Sequence, residues 1–434
     1  MKRKVIIASL RFWSKLILFK YKPKVIALTG SAGKSSAKEL LYLILKEKYY
    51  VFRNHASLNN EIGVPLTILL IDWRPGRSLK NWLKVFKQGL KLFFCSIPYP
   101  KILIIETGVE HPNDMNYLLG LIKPEVGVFT ALGDQPAHLQ FFPTIESLVA
   151  EKGILIQRLA KTGLAILNRD DKRIWSLREK TAATVFSFGF DQKADAIVKN
   201  VSVGVKNGLD FDLTLFNQEQ IEINFKNSVN ESLALNAAAT CLIGNWFGLT
   251  LLKMKESFAG FQDLPGRLKL FRPPGQNFLI IDDSYNASPI SYQKLIGTVK
   301  KLPGRKIAVF GDVLEADSAA EKIHRQIAQT ADDIFETVVL IGPRLKLFAA
   351  PIFQHAKILI FEPNQFDQIH ADLIEILQPD DLIIFKAARA FHLEKLIKKF
   401  IGSKTDLVDC FCEYRPNFHS IKFDRNKNVN KIIE

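Results

Sequence analysis

A glycine-containing octapeptide lies between a strand pattern and a helix pattern near the start of this 434-residue chain. The apolar run at 25–28 is typical of a buried strand, and residues 37–45 have helical periodicity. In this layout backbone N–H groups and the helix N-terminus bind phosphate, a lysine neutralises the outer phosphate oxygens, and a hydroxyl reaches Mg²⁺. Leu28 replaces the first glycine of the standard motif, but the placement still predicts a nucleotide phosphate site. Its residues are Thr29, Gly30, Ser31, Ala32, Gly33, Lys34, Ser35 and Ser36.

Further apolar runs alternate with helical segments and predict an α/β fold with a P-loop-type parallel sheet. The runs at 102–105, 126–129 and 165–167 are continuous, as expected of strands buried on both faces. Residues 194–225 instead alternate with period two around Asn207-Gly208, which indicates a hairpin. We therefore expect a small antiparallel layer beside the parallel sheet, followed by a helix at 233–246.

A turn-rich stretch at 262–267 marks a domain boundary, after which the strand and helix rhythm restarts. Five strand-like runs follow, at 278–281, 306–310, 337–341, 357–361 and 381–385. They predict a Rossmann-like, doubly wound C-terminal domain. The expected organisation is a short basic and apolar helix at 1–22, an ATP-binding domain at 23–263, the Rossmann-like domain at 264–402 and a tail at 403–434.

The formal net charge of +15 suits an acidic ligand, an anionic membrane surface or simply a basic exterior. No motif combining aromatic and basic residues supports nucleic-acid binding, so we expect none. The segment 79–94 interleaves apolar and lysine residues, and either rests on a membrane surface or covers the core with its lysines extended to water. The four cysteines include no C-x-x-C pair, and no stretch predicts a signal peptide or a transmembrane helix, so we expect a cytoplasmic protein.

Other polar residues follow the predicted strands, at the sheet edge where open α/β sheets bind ligands. Glu106 follows the second strand, where a carboxylate is well placed to hold Mg²⁺. His138 follows the third strand, and Lys152 lies on the next helix. In the second domain the sequence DDSYNASP at 282–289 directly follows a strand. Each of these residues taken alone also has an ordinary structural explanation.

From about residue 24 to 400 the chain resembles the Mur ligases, the ATP-dependent amide-forming enzymes of peptidoglycan precursor synthesis. The resemblance rests on TGSAGKSS at 29–36, SLNNEIGVPL at 57–66, IETG at 105–108 and DDSYNASP at 282–289. His138, Lys152, Asn236, Arg267 and Lys386 with Arg389 occur in family order. Within the family, SLNNEIGVPL and DDSYNASP are most similar to the enzymes that add D-alanyl-D-alanine to UDP-MurNAc-tripeptide.

The resemblance implies ATP and two Mg²⁺ ions as cofactors and a role for each matching residue. Lys34 would contact the outer phosphates, Ser35 with Glu106 would hold the first Mg²⁺, and His138 would bind the second. Lys152 would carry a CO₂-derived carbamate. The remaining assignments are Asn236 and Asn286 at the adenine, Asp283 at the ribose, Tyr285 at the nucleotide, Arg267 at the γ-phosphate, and Asn59, Asn60, Lys386 and Arg389 on the substrate side.

The implied reaction activates a carboxylate as an acyl phosphate, which the incoming amine attacks to form the amide. The phosphate loop already starts at residue 29, so we expect the family's UDP-binding N-terminal domain to be absent or reduced to one helix. We expect a monomer, although a partner protein remains an alternative. Two other functions also stay open: a related ligase with a folate-type or polymer-type acceptor, and a non-catalytic ATP-binding subunit.

Overall fold

The computed structural model describes residues 3–54, 58–76, 78–133, 139–216, 219–314 and 319–402. The expected tail at 403–434 lies outside the described residues. The chain divides into two compact units, each with its own sheet. The first contains the described residues up to Leu264 together with Leu268–Leu270 and Ile290–Gly304, and the second contains Pro265–Arg267, Phe271–Pro289 and the described residues from Arg305 onward.

The first unit is built on a nine-stranded sheet in the order β2-β3-β1-β4-β5-β6-β7-β8-β9. Its strands are β1 (Lys24–Thr29), β2 (Val51–Arg53), β3 (Ile102–Glu106), β4 (Val126–Phe129), β5 (Leu164–Asn168), β6 (Thr184–Gly189), β7 (Ala196–Gly204), β8 (Gly208–Leu215) and β9 (Glu219–Phe225). In this order, all neighbours from β2 through β1 to β7 pair in parallel, whereas β8 pairs antiparallel with β7 and β9. The expected parallel strands and hairpin are confirmed, and the antiparallel strands extend the same sheet.

The helices of this unit include most of α10, which follows the domain-boundary segment in the chain. They are α1 (Arg3–Tyr21), α2 (Lys34–Leu45), α3 (Gly63–Ile68), α4 (Leu79–Phe94), α5 (Asp114–Leu119), α6 (Ile145–Gln157), α7 (Lys172–Trp175), α8 (Ser232–Trp246), α9 (Leu251–Phe258) and α10 (Pro289–Lys300). A short strand, β10 (Lys269–Phe271), follows the domain-boundary segment and is an edge strand of the second, six-stranded sheet. No helix among the described residues has both the length and the apolar character needed to cross a bilayer.

Continuous apolar strands arise because the sheet has a core on each face. Val25 and Ala27 of β1 belong to the core that includes α1, α3, α4 and α6, whereas Ile26 and Leu28 belong to the core that includes α2, α8 and α9. Successive side chains of a strand point to opposite faces, so the four consecutive positions 25–28 of β1 are all apolar. The phosphate loop begins at the carboxyl end of this strand, where the residues from Val25 to Thr29 are all buried.

The second unit repeats this design with parallel strands in the order β11-β15-β12-β13-β14. The strands are β11 (Leu279–Asp282), β12 (Lys306–Gly311), β13 (Thr337–Ile341), β14 (Lys357–Phe361) and β15 (Leu382–Lys386), and the helices are α11 (Ala320–Ala331), α12 (Phe366–Ile376) and α13 (Glu394–Ile401). The five strands predicted after the boundary are therefore confirmed. The sequence DDSYNASP begins at the carboxyl end of β11, beside β15.

Candidate active site

The phosphate loop is held in shape by the end of the neighbouring strand β4. The carbonyl of Ala131 accepts the Ser31 N–H at 2.7 Å, and the Thr130 hydroxyl donates to the Ala32 carbonyl at 2.5 Å. Gly30 has a φ of +136°, and a Cβ atom there would lie 2.3 Å from the Thr130 hydroxyl oxygen. Only glycine fits this close approach, so the loop can pack against the end of β4 only with glycine at position 30.

Helix α2 starts at the loop and directs its N-terminus and Lys34 toward it. Gly33 caps the helix with a φ of +84°. The Lys34 ammonium donates to the Gly30 carbonyl at 2.5 Å and so lies across the loop that precedes it. The positive end of a twelve-residue helix and an ammonium group together form an anion-binding site.

A buried ion pair joins α2 to the end of β3. Lys38 Nζ lies 2.8 Å from Glu106 Oε1, and the two side chains are 0% and 2% exposed. Glu106 is in register with Leu28 at the end of β1, so its carboxylate lies next to the phosphate loop. Sequence reasoning missed Lys38, although its position one turn after Lys34 on the buried face of α2 was a usable signal.

Lys152 is a second buried cation, and it is electrostatically coupled to the loop. It lies on α6 and is 2% exposed. Burial, and then the positive charge of Lys34, lower the pKa of Lys152 to about 7, while Asp114, Glu151 and Glu110 partly oppose this shift. Lys152 therefore exchanges its proton near neutral pH, and a neutral amine can act as a nucleophile.

Asn236 of α8 lies against the loop from another side. A Cβ atom on Gly33 would be 2.8 Å from the Asn236 side-chain oxygen. The Asn236 side-chain nitrogen is buried and has no hydrogen-bond acceptor within the described part of the chain. Asn236 therefore adjoins the phosphate loop, and the contact with adenine that the family resemblance implies stays a prediction.

Of the two asparagines in SLNNEIGVPL, the structure brings one to the site edge and gives the other a capping role. The Asn59 carbonyl accepts the Gly108 N–H at 2.8 Å, just beyond Glu106. The Asn60 side-chain oxygen accepts the N–H groups of Ile62 at 3.2 Å and Gly63 at 2.9 Å, where α3 begins. Asn60 thus stabilises the start of α3.

His138, the predicted ligand of the second Mg²⁺, lies outside the described residues.

In the second unit, Asp282 orders the segment that contains Gly266 and Arg267. Its buried carboxylate accepts the Gly266 N–H at 3.0 Å, the Ser284 N–H at 3.0 Å and the Ser284 hydroxyl at 2.5 Å. The Gly266 carbonyl in turn accepts the Tyr285 N–H, and the Arg267 guanidinium stacks 4.4 Å from the Tyr285 ring centre. Burial raises the pKa of Asp282. The first aspartate of DDSYNASP is therefore structural.

Lys386 fixes the rest of DDSYNASP from the end of β15. Its ammonium is 2.6 Å from Asp283 Oδ2 and donates to the Asn286 carbonyl at 2.9 Å. The side chain is 1% exposed, and these contacts give Lys386 a positioning role, while the expected substrate contact stays a prediction. Arg389 lies 3.8 Å from Glu394 and is 10% exposed.

Two family models match the chain: the Mur ligase middle domain over residues 88–244 and the Mur ligase glutamate ligase domain over residues 266–389. Among curated relatives, the UDP-N-acetylmuramoyl-tripeptide–D-alanyl-D-alanine ligase of Bacillus subtilis is 26% identical over 410 residues, which cover 92% of this chain and 80% of that protein. The ligase of the same name from Escherichia coli is 28% identical over 312 residues, covering 71% of this chain and 62% of its own length.

A solved structure gives the same result for the fold. The MurF ligase of Thermotoga maritima, determined in complex with ADP, matches with a TM-score of 0.72 and 25% identity over 91% of this chain and 83% of its own. The parallel sheet with its phosphate loop, the second sheet and both family models agree in chain order. The chain therefore belongs to the Mur ligase family.

Proposed function

We propose that this protein is an ATP-dependent carboxylate–amine ligase that adds D-alanyl-D-alanine to UDP-MurNAc-tripeptide in the cytoplasm, where ATP is available. The observation that carries the proposal is the convergence of Lys34, the buried Lys38–Glu106 pair and Lys152 at one sheet edge. A phosphate loop alone would fit any nucleotide-binding protein. A buried lysine with a pKa near 7 beside that loop is typical of a catalytic site, where burial and neighbouring charges shift pKa values.

In the proposed reaction the tripeptide carboxylate attacks the γ-phosphorus of ATP and ADP leaves. The acyl phosphate then accepts the amine of D-alanyl-D-alanine, and the tetrahedral intermediate expels inorganic phosphate as the amide forms. The carboxylate and ATP are both anions and repel each other. Lys34 at the loop and the N-terminus of α2 reduce this repulsion and orient the γ-phosphate for transfer.

The residues at this edge have the oxygen donors that Mg²⁺ prefers. We assign the first ion to the Ser35 hydroxyl and the Glu106 carboxylate, with His138 for the second. When bound, the ions neutralise charge on the transferred phosphoryl group. Lys38 holds the Glu106 carboxylate in place, so the charge of Glu106 is fixed at the loop before any ion or nucleotide binds.

Lys152 is proposed to react with CO₂. Its neutral amine attacks the carbon, a C–N bond forms, and the released proton passes to solvent, which leaves a carbamate. This change turns a cation next to Lys34 into an anion, so the mutual repulsion that lowers the pKa of Lys152 becomes an attraction. The carbamate oxygens would then add to the ligands available for Mg²⁺.

We assign residues 23–263 to the ATP-binding domain and residues 264–402 to the domain that supplies the remaining nucleotide contacts. Asp283 would accept from the ribose and Tyr285 with Asn286 would adjoin the base, held in place by Lys386. Arg267 would contact the γ-phosphate, and Asn59 and Arg389 would face the substrate. The protein is proposed to act as a monomer.

The test is phosphate release from Mg-ATP that requires both UDP-MurNAc-tripeptide and D-alanyl-D-alanine. Lys34→Ala should lose at least 10³-fold in kcat/KM, because one loop cation at the transferred phosphoryl group is removed. Lys46→Ala is the matched control, since this lysine is exposed at the other end of α2 and should keep wild-type activity. Phosphate release that does not require both substrates would indicate another acceptor. ATP binding without turnover would indicate a non-catalytic subunit.

A further inference from the structure

Helices α1 and α4 each bury one stripe of side chains, and the opposite stripe, which is exposed to water, is unusually rich in large apolar residues. In α4 the buried residues are Trp82, Val85, Gly89 and Leu92. On the other side Leu83, Leu90 and Phe94 are 59%, 44% and 74% exposed. The core-covering interpretation of residues 79–94 is thus confirmed, but it accounts for only half of the helix.

The exposed stripe of α1 has the same character. Ile6, Leu10, Ser14 and Ile17 are buried, whereas Val5, Phe12 and Phe19 are 51%, 57% and 76% exposed. These three residues are spaced by seven positions, or two helical turns, so they lie on one side of the helix. Exposed apolar residues scattered singly need no explanation, but a continuous row on a helix does.

Aromatic contacts link the exposed stripes of the two helices. Phe12 contacts Trp13 at 5.5 Å between ring centres, Trp13 contacts Phe93 at 6.4 Å, and Phe93 contacts Phe94 at 5.0 Å. The side chain of Trp13 also packs directly over Gly89. Ring contacts through the half-buried Trp13 and Phe93 therefore link the exposed Phe12 of one helix to the exposed Phe94 of the other.

The charge on this surface has one sign. Neither helix contains an aspartate or glutamate, and the two together contain nine lysines and arginines. Arg3, Arg11 and Lys20 contact groups of the protein, with Lys20 donating to the carbonyls at the end of α4. Six exposed lysines remain, and within the described residues none of them has an acidic partner: Lys4, Lys15, Lys80, Lys84, Lys87 and Lys91.

We propose that the α1–α4 face, formed by the exposed stripes of these two helices, binds the surface of an anionic lipid bilayer. Phenylalanine and leucine side chains enter the boundary between headgroups and acyl chains, and the lysines between them contact lipid phosphates. A protein partner would need a matching acidic and apolar surface, whereas anionic lipid supplies both properties at once. The helices lie on the membrane and do not cross it.

The experiment is flotation of the full-length protein with vesicles of neutral phosphatidylcholine, or of phosphatidylcholine containing one third phosphatidylglycerol. We expect at least tenfold stronger binding to the anionic vesicles and loss of most of that gain at high salt, because screening removes the lysine contribution. Equal binding to both vesicle types, or binding to neither, would overturn the proposal.

Variants separate the two contributions. Lys84→Glu with Lys87→Glu should weaken binding to anionic vesicles at least tenfold, and Phe19→Ser with Phe94→Ser at least fivefold. The matched control is Leu252→Ser with Lys255→Glu on α9, where both residues are also exposed but lie on another helix. Wild-type binding by the first two pairs, or a self-association that they abolish while vesicles have no effect, would assign the face to something other than lipid.

Discussion

Lys38 Nζ lies 2.8 Å from Glu106 Oε1, with both side chains removed from water, one helical turn after the lysine of the phosphate loop. Two opposite charges at this depth hold each other in place, and either one alone would be an uncompensated buried charge. The pair therefore connects the stability of the fold to the geometry of the site.

The first prediction concerns this pair. Lys38→Met should lower the free energy of unfolding by about 3–5 kcal/mol, because it leaves the Glu106 carboxylate buried without its partner. Adding Glu106→Gln should restore much of that stability but not the activity, since the carboxylate proposed to hold Mg²⁺ is gone. Urea unfolding of the single and double variants checks the first part, and a Lys38→Met variant as stable as wild type would contradict it.

The second prediction follows from the pKa of Lys152. Its folded-state pKa of about 7 lies below the usual 10.5, so between these values the unfolded chain binds one more proton than the folded protein. Stability should therefore rise with pH in this window, by up to about 1.4 kcal/mol per pH unit from this residue. Lys152→Met should remove that part of the rise between pH 7 and pH 9.

Two readouts check Lys152. Urea unfolding of wild type and Lys152→Met at both pH values gives the difference in slope, and equal slopes would be the contrary result. Ligase activity in CO₂-depleted buffer should fall and recover with added bicarbonate in wild type. Lys152→Met should not respond to bicarbonate at any concentration.

The third prediction uses the glycine that caps α2. Gly33→Ala should weaken ATP binding at least 100-fold, because the new Cβ atom would lie 2.8 Å from the Asn236 oxygen at a φ of +84°. Gly76→Ala is the matched control: its φ is +59°, but nothing lies within 4 Å of the new atom. Calorimetric titration should show unchanged ATP affinity for Gly76→Ala, and equal effects of the two substitutions would refute the close-packing explanation.

The fourth prediction concerns the second unit. Lys386→Met should raise the KM for ATP about tenfold, because Asp283 and the Asn286 carbonyl lose the ammonium that positions them. The exposed Lys395→Met serves as the control. If Lys386 contacts the acceptor instead, the KM for the tripeptide will rise while the KM for ATP stays unchanged.

The strands were predictable because their residues are buried on both faces, which leaves continuous apolar runs such as 25–28 and 102–105. Glu106 and Lys34 could be located because each follows a predicted strand or opens a predicted helix. Lys38 was missed because a lysine on a helix is normally solvated; its spacing of one turn from Lys34 was a signal, but only the packing of α2 shows that it is enclosed. The contacts of Lys386 were not predictable for a related reason, since the sequence cannot show which way an ammonium at a strand end turns.

The two asparagines of SLNNEIGVPL show the same limit. Both match the family motif, but the Asn60 side chain accepts two backbone N–H groups at the start of α3, whereas Asn59 contacts Gly108 next to Glu106. These hydrogen bonds depend on the conformation of the loop, and the neighbouring residues in the sequence do not reveal that conformation.

The fate of a labelled oxygen tests directly whether the reaction passes through an acyl phosphate. UDP-MurNAc-tripeptide with ¹⁸O at both oxygens of the reacting carboxylate is incubated with Mg-ATP and D-alanyl-D-alanine, and the product and phosphate are analysed by mass spectrometry. We expect a product extended by one dipeptide and one ¹⁸O atom in each inorganic phosphate released, because the bridging oxygen of the acyl phosphate leaves with the phosphate. Phosphate without the label, or ATP consumption without the extended product, would contradict it.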